Sequence, residues 1–220
     1  MKLNNKRTIL VGLAFLSICA FWQMYDSIVP LILTKTFHMN ETFSGAIMAA
    51  DNILALFLLP FFGSVSDKSH SKLGKRMPFI LFGTGCAIIL MNILPLLDNS
   101  YAAQPSGFKT ASFVIVLGLL LVAMGTYRAP AVALMPDVTP KPLRSRANAI
   151  INLMGAVGGI LYLGVAAVLY PNSKTAGLDH VNYQPLFIVV SAIMFVAVAV
   201  LFLTIRAVSY THLTLPTTSR

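Results

Sequence analysis

The chain has 220 residues, of which 57% are hydrophobic and only 10% charged. Soluble domains carry about 25% charged residues, so this composition excludes an ordinary soluble fold and indicates an integral membrane protein. The net charge of +9 does not indicate nucleic-acid binding, because the basic residues sit in short connections between apolar runs, with no aromatic-interleaved platform.

A bilayer span needs about 20 apolar residues. Six runs qualify: 8–33, 43–62, 79–97, 111–135, 147–170 and 185–205. The opening MKLNNKR precedes an apolar run too long for a signal peptide and without a small-residue cleavage site, so it reads as an uncleaved first span. In that span Trp22, Gln23, Asp26 and Pro30 share one helical face. A ring, an amide and a carboxylate together suit a hydroxylated ligand, the ring covering an apolar sugar face. Asp51 in span 2 lies at about the same depth as Asp26, roughly 12 Å at 1.5 Å per residue, so both are expected to reach one aqueous cavity. Ionisable residues inside a membrane are functional candidates by default. Cys19 and Cys86 lie in apolar runs and carry no disulfide or metal signal.

The connection 63–78, GSVSDKSHSKLGKRMP, holds Asp67, Lys68, Lys72, Lys75 and Arg76. A short basic loop between two spans is expected in the cytoplasm. Gly63 is expected to end span 2 and let helix ends approach. Asp67 is expected near the N-terminus of a partner helix, and Lys75 and Arg76 near an acid on a neighbouring span end. The connection 98–110 is expected outside. In span 4, Arg128 is offset from Asp51 by about 12 Å. A direct pair needs tilt and an extended side chain; otherwise Arg128 snorkels to the near surface. The connection 136–146, PDVTPKPLRSR, brings Asp137, Arg144 and Arg146 to the same surface as Arg76. Arg76 and Asp137 are therefore expected to approach, directly or through Arg146.

Span 5 carries Asn148, Asn152, Gly155 and Gly159, including a G-x-x-x-G. Small residues there let spans 5 and 1 approach, and Asn152 is also a candidate ligand group. The connection 171–183 has turn chemistry in Pro171-Asn-Ser and Gly177-Leu-Asp. Span 6 is apolar all round apart from Ser191 and is predicted to face lipid. Eleven basic residues fall on the expected cytoplasmic side and three, Lys35, Lys109 and Lys174, on the other. That bias places the N-terminus in the cytoplasm. Residues 1–206 are thus expected to form one six-helix bundle. The tail 207–220 breaks the pattern: 208–218, VSYTHLTLPTT, resembles a translated sequencing-library adapter. It is expected to be non-native, with the natural chain continuing into a missing half.

Gly63, Asp67, Lys68, Gly74, Lys75 and Arg76 resemble the signature between spans 2 and 3 of the major facilitator superfamily. The longer spacing here, with SHSKL between Lys68 and Gly74 and then Pro78-Phe-Ile, resembles the glycoside–pentoside–hexuronide and sucrose–proton symporters. Tyr127-Arg-Ala-Pro, Pro136-Asp137 and Arg144-Ser-Arg146-Ala-Asn148 resemble the span 4–span 5 region of the same group, one three-span unit later. The resemblance implies an all-α fold, six helices forming one half of a twelve-helix transporter. It implies cation-coupled symport of a sugar or glycoside by alternating access, in the plasma membrane. Melibiose-type symporters place sodium-binding carboxylates on span 2; here that span has only Asp51, which favours a proton.

The expected substrate-binding residues are Trp22, Gln23, Asp26 and Asn152, and the expected cation-coupling residues Asp51 and Arg128. The expected cytoplasmic gate is Gly63, Asp67, Lys68, Gly74, Lys75, Arg76, Asp137, Arg144 and Arg146. The expected partners are a small-molecule substrate, a coupling cation, the lipid bilayer and the missing C-terminal half, with no nucleic acid, cofactor or metal. The alternatives are a proton-coupled drug or other small-molecule carrier and a non-transporting six-span protein. No motif places a nucleophile beside a base, so an enzyme is not expected.

Overall fold

The computed structural model describes residues 5–71, 73–178 and 180–213. Expectations for Lys2, Lys72, Asp179 and residues 214–220 fall outside these, as do the side chains of Lys6, Arg7 and Arg206. Among the described residues the regular structure is all helical, and six helices are long and apolar enough to cross a membrane.

α1, Asn5–Leu31, contains Pro30 and widens into a π turn, Ile32–Thr36. Proline supplies no backbone N–H, and the Thr34 hydroxyl donates to the Pro30 carbonyl at 2.8 Å. α2 spans Glu41–Lys68. Its N-cap, Asn40, accepts from the Thr42 amide at 3.1 Å, and Glu41 and Lys68 complement the dipole at its two ends. α3 is Met77–Ala103 and α4 is Gly107–Val138. A 3-10 turn, Lys141–Leu143, leads into α5, Arg144–Leu169. After the single turn α6, Asn172–Thr175, the last span is α7, Gln184–Leu213.

The helices overrun the apolar runs. Residues 63–68 are helical, so Gly63 lies inside α2 and does not end it. Likewise 98–103 belong to α3, 136–138 to α4 and 144–146 to α5. Hydropathy marks where apolar side chains stop. The backbone instead continues until its hydrogen bonds can be handed to caps or water. The turn at 71–74 closes with the Gly74 amide on the Ser71 carbonyl at 2.9 Å. Gly74 has φ +87° there, a conformation that favours glycine. Gly177, at φ +82°, does the same in the connection between α6 and α7.

α1 is the central helix. It packs mainly on α5 and α7, while α3 packs on α4 and α7, and α2 leans on α4. The α1–α5 seam is very close. A Cβ at Gly158 would sit 2.0 Å from the Leu16 carbonyl oxygen, and one at Gly155 would sit 2.8 Å from Cys19 Sγ. A Cβ at Gly159 would meet only Gln23 Oε1, at 3.9 Å. Spans 5 and 1 do approach through small residues, but the contact runs through Gly155 and Gly158, with Gly159 at its margin. A second close crossing joins α3 to α4, where a Cβ at Gly83 would lie 2.7 Å from the Tyr127 amide nitrogen.

α7, expected to face lipid, has one side packed and one side exposed. Leu186, Phe187, Val190, Met194 and Leu201 are fully buried, and Ser191 is also buried. The Ser191 hydroxyl accepts from the Asn92 amide of α3 at 2.6 Å. Only the other side of α7, with Phe195, Val196 and Leu203, is exposed. A helix apolar all round does not reveal which face packs.

Candidate functional site: a polar cleft above a charge cluster

At one end of the bundle Arg76, only 8% exposed, gathers two helix ends. Its guanidinium pairs with Asp67 at 2.5 Å and with Asp137 at 3.0 Å. It also donates to the Ser66 hydroxyl at 2.6 Å and to the Gly63 carbonyl at 3.4 Å. One planar fork thus ties the C-terminal ends of α2 and α4 to the N-cap of α3. Arg76 and Asp137 meet directly, without Arg146. Gly63 contributes its carbonyl, and a Cβ there would meet nothing within 4 Å, so close helix approach is not its role. Asp67 reaches the start of α3, as expected, through Arg76. Arg144 donates to the carbonyls of Pro136, at 2.9 Å, and Thr139, at 3.3 Å, closing the C-terminal end of α4. Lys68, Lys75 and Arg146 are exposed, and among the described residues they form no ion pair. Ser66 was not anticipated, because polarity placed it in a loop.

Deeper in the bundle, α1, α2 and α4 enclose a cleft lined by Trp22, Asp51, Leu58, Leu121, Gly125 and Arg128. Its volume is about 20 Å³, room for about one water. Arg128 lies over the Trp22 ring, 5.4 Å from its centroid, a cation–π geometry. Asp51 and Arg128 line the same cleft but form no ion pair among the described residues. Trp22 Nε1 and Asp51 Oδ1 are both buried and without a hydrogen-bond partner. Buried polar atoms are nearly always satisfied, so Trp22 Nε1 and Asp51 Oδ1 are a donor and an acceptor open to a further polar partner.

The remaining predicted residues sit apart from that lining. Asp26 is exposed on α1, Gln23 is half-buried towards Gly159, and Asn152 is exposed on α5. Beside the cleft, Tyr127 is fully buried. Its hydroxyl donates to the Ala14 carbonyl at 3.0 Å and shares a hydrogen bond with Ser17 at 2.6 Å. That ties α4 to α1 immediately before Arg128. Among the described residues no group of three or more His, Cys, Asp or Glu is arranged to hold a metal.

The family model for the Major Facilitator Superfamily matches residues 11–217. The chain belongs to the major facilitator superfamily. Within that superfamily it is similar to the sucrose transport protein SUC3 of Arabidopsis thaliana, 35% identical over 158 residues, covering 66% of this chain and 26% of the relative. It is 36% identical over 154 residues to the sucrose transport protein SUT3 of Oryza sativa subsp. indica, covering 64% of this chain and 30% of the relative. It is 25% identical over 179 residues to the alpha-ketoglutarate permease of Escherichia coli (strain K12), covering 80% of this chain and 38% of that protein. The chain therefore spans well under half the length of these relatives. Superfamily membership and six apolar helices make it a multi-pass membrane protein of a transporter family, similar to sugar transporters.

Proposed function

We propose that the chain is the N-terminal half of a proton-coupled sugar or glycoside symporter that works by alternating access, with its N-terminus in the cytoplasm. The carrying observation is the cleft: Trp22 with Arg128 over its ring, Asp51 beside them, and a buried polar atom left open on both Trp22 and Asp51. A hydroxyl both donates and accepts, so a sugar can satisfy both atoms at once while a pyranose face lies on an aromatic ring. Room for one water is too little for a sugar, which suits a site completed by a facing repeat. Asp51 is the proposed proton carrier and Arg128 its electrostatic partner. Gln23, Asp26 and Asn152 are proposed to contact the outer parts of the substrate. The Arg76 cluster is proposed as the cytoplasmic gate, closed when α2, α3 and α4 are tied together.

A second reading has its own support. Arg128 is a half-buried cation without a carboxylate partner among the described residues, and the alpha-ketoglutarate permease is among the relatives. An unpaired arginine suits a carboxylate substrate. Substrate protection separates the two readings. Trp22 fluorescence of the full-length protein should be quenched by a disaccharide under the first reading and by a dicarboxylate under the second.

A further inference from the structure

The end of the bundle opposite Arg76 holds a second ionisable pair. Asp98 lies 21 residues beyond Met77 on α3, about 32 Å along the helix at 1.5 Å per residue. It was expected in an external loop, yet it is 0% exposed. Neither carboxylate oxygen has a hydrogen-bond partner of ordinary geometry. The Thr36 hydroxyl is within its reach but is engaged with His180 Nδ1 at 3.3 Å. His180 Nδ1 stands 4.0 Å from Asp98 Oδ2, and its Nε2 meets Asn99 Oδ1 at 2.9 Å. Asn99 then donates to Asn182 Oδ1 at 2.9 Å, and the Tyr170 hydroxyl donates to the Asn182 carbonyl at 2.7 Å.

The other ionisable groups around Asp98 are few. From the π turn, Lys35 is exposed and forms no ion pair among the described residues. From α4, Lys109 is committed to the carbonyls of Ser100 and Gln104, at 2.8 and 2.9 Å. The segment entering α7 brings Tyr183 and His180. His180 is therefore the group able to share a proton with Asp98. A bare carboxylate buried beside a neutral ring is costly. One proton on either partner removes that cost, as an ion pair or as a neutral acid bonded to the ring.

We propose that Asp98 and His180 form a proton-held clasp, separate from the Asp51 cleft, which fastens the segment 180–183 onto the ends of α1 and α3 while one proton is shared and releases it when that proton is lost. The closed form holds a proton that the open form gives up, so closure is favoured at low pH and lost as pH rises. Two of the pinned elements, the π turn and the segment entering α7, are distant in sequence, so release would free this whole end of the bundle.

The test is amide hydrogen exchange of 180–183 in the protein held in lipid nanodiscs, with the base-catalysed rate divided out. Protection should fall about tenfold between roughly pH 5.5 and 8.5, the change delivered by a one-unit shift in the pair's proton affinity. Asp98→Asn removes the charge and should keep the segment protected across the range. His180→Lys fixes a positive charge beside Asp98 and should do the same, a second route if the asparagine variant folds poorly. Asp179→Asn, which removes the neighbouring charge in sequence, should keep the wild-type fall. A flat wild-type profile, a wild-type fall persisting in both Asp98→Asn and His180→Lys, or a fall abolished by Asp179→Asn alone would overturn the proposal. Transport is not read, so this outcome is independent of the symporter assignment.

Discussion

Arg76 stands at the N-cap of α3, where the helix dipole disfavours a cation. Asp67 and Asp137 offset that penalty, and the Ser66 hydroxyl and Gly63 carbonyl occupy the rest of the fork. A lysine cannot reach four acceptors from two helices. Arg76→Lys is expected to destabilise the protein by about 2 kcal/mol, read as a lower unfolding temperature in detergent. A double-mutant cycle of Arg76 with Asp137 should give a coupling of only about 1 kcal/mol, because Asp137 is partly solvated. The approach of Arg76 to Asp137 was legible because charge and span count put both at one surface. The Ser66 and Gly63 contacts were not, because polarity suggested loop where the backbone stays helical. Asp98 was misread for the same reason. An acid just past an apolar run looks exposed, and only the fold brings His180, from another connection, over it.

Helix α5 offers a sharper test at the scale of elements. A G-x-x-x-G pointed to the correct pair of helices, since spans 1 and 5 form the closest seam. It pointed to the wrong second glycine, because the crossing angle that decides which turn touches is not written in residue spacing. Gly158→Ala should cost about 3 kcal/mol, since its methyl would meet the Leu16 backbone. Gly159→Ala should be within about 0.5 kcal/mol of wild type, since its methyl would make ordinary contact with Gln23. Equal unfolding temperatures for the two variants would refute the packing assigned here. α7 shows the limit of pattern reading. Its composition fits a lipid-facing position and one side is exposed, yet Ser191 is buried against Asn92, and only tertiary packing selects that face.

Across the molecule, span number and helix order were readable because a bilayer demands long apolar helices. The cleft was readable in part. Trp22, Asp51 and Arg128 stood out as polar or aromatic groups in apolar runs, but their convergence depends on how α1, α2 and α4 lean together. Asp26 shares α1 with Trp22 without entering that lining, and Asn152 lies on α5, outside the three helices that form it. The proposed orientation has its own check. A cysteine replacing Lys75 should react with an impermeant maleimide only from the cytoplasmic side, and one replacing Leu178 only from outside; labelling from reversed sides would invert the topology.

The coupling role of Asp51 is tested most directly by measuring sugar accumulation in proteoliposomes containing the full-length protein under an imposed proton gradient. The wild type should concentrate its sugar against a gradient and lose that ability when the proton gradient is collapsed. Asp51→Asn should abolish accumulation, a loss of more than about tenfold, while sparing exchange of sugar down its own gradient. Accumulation by Asp51→Asn at the wild-type level would contradict the account.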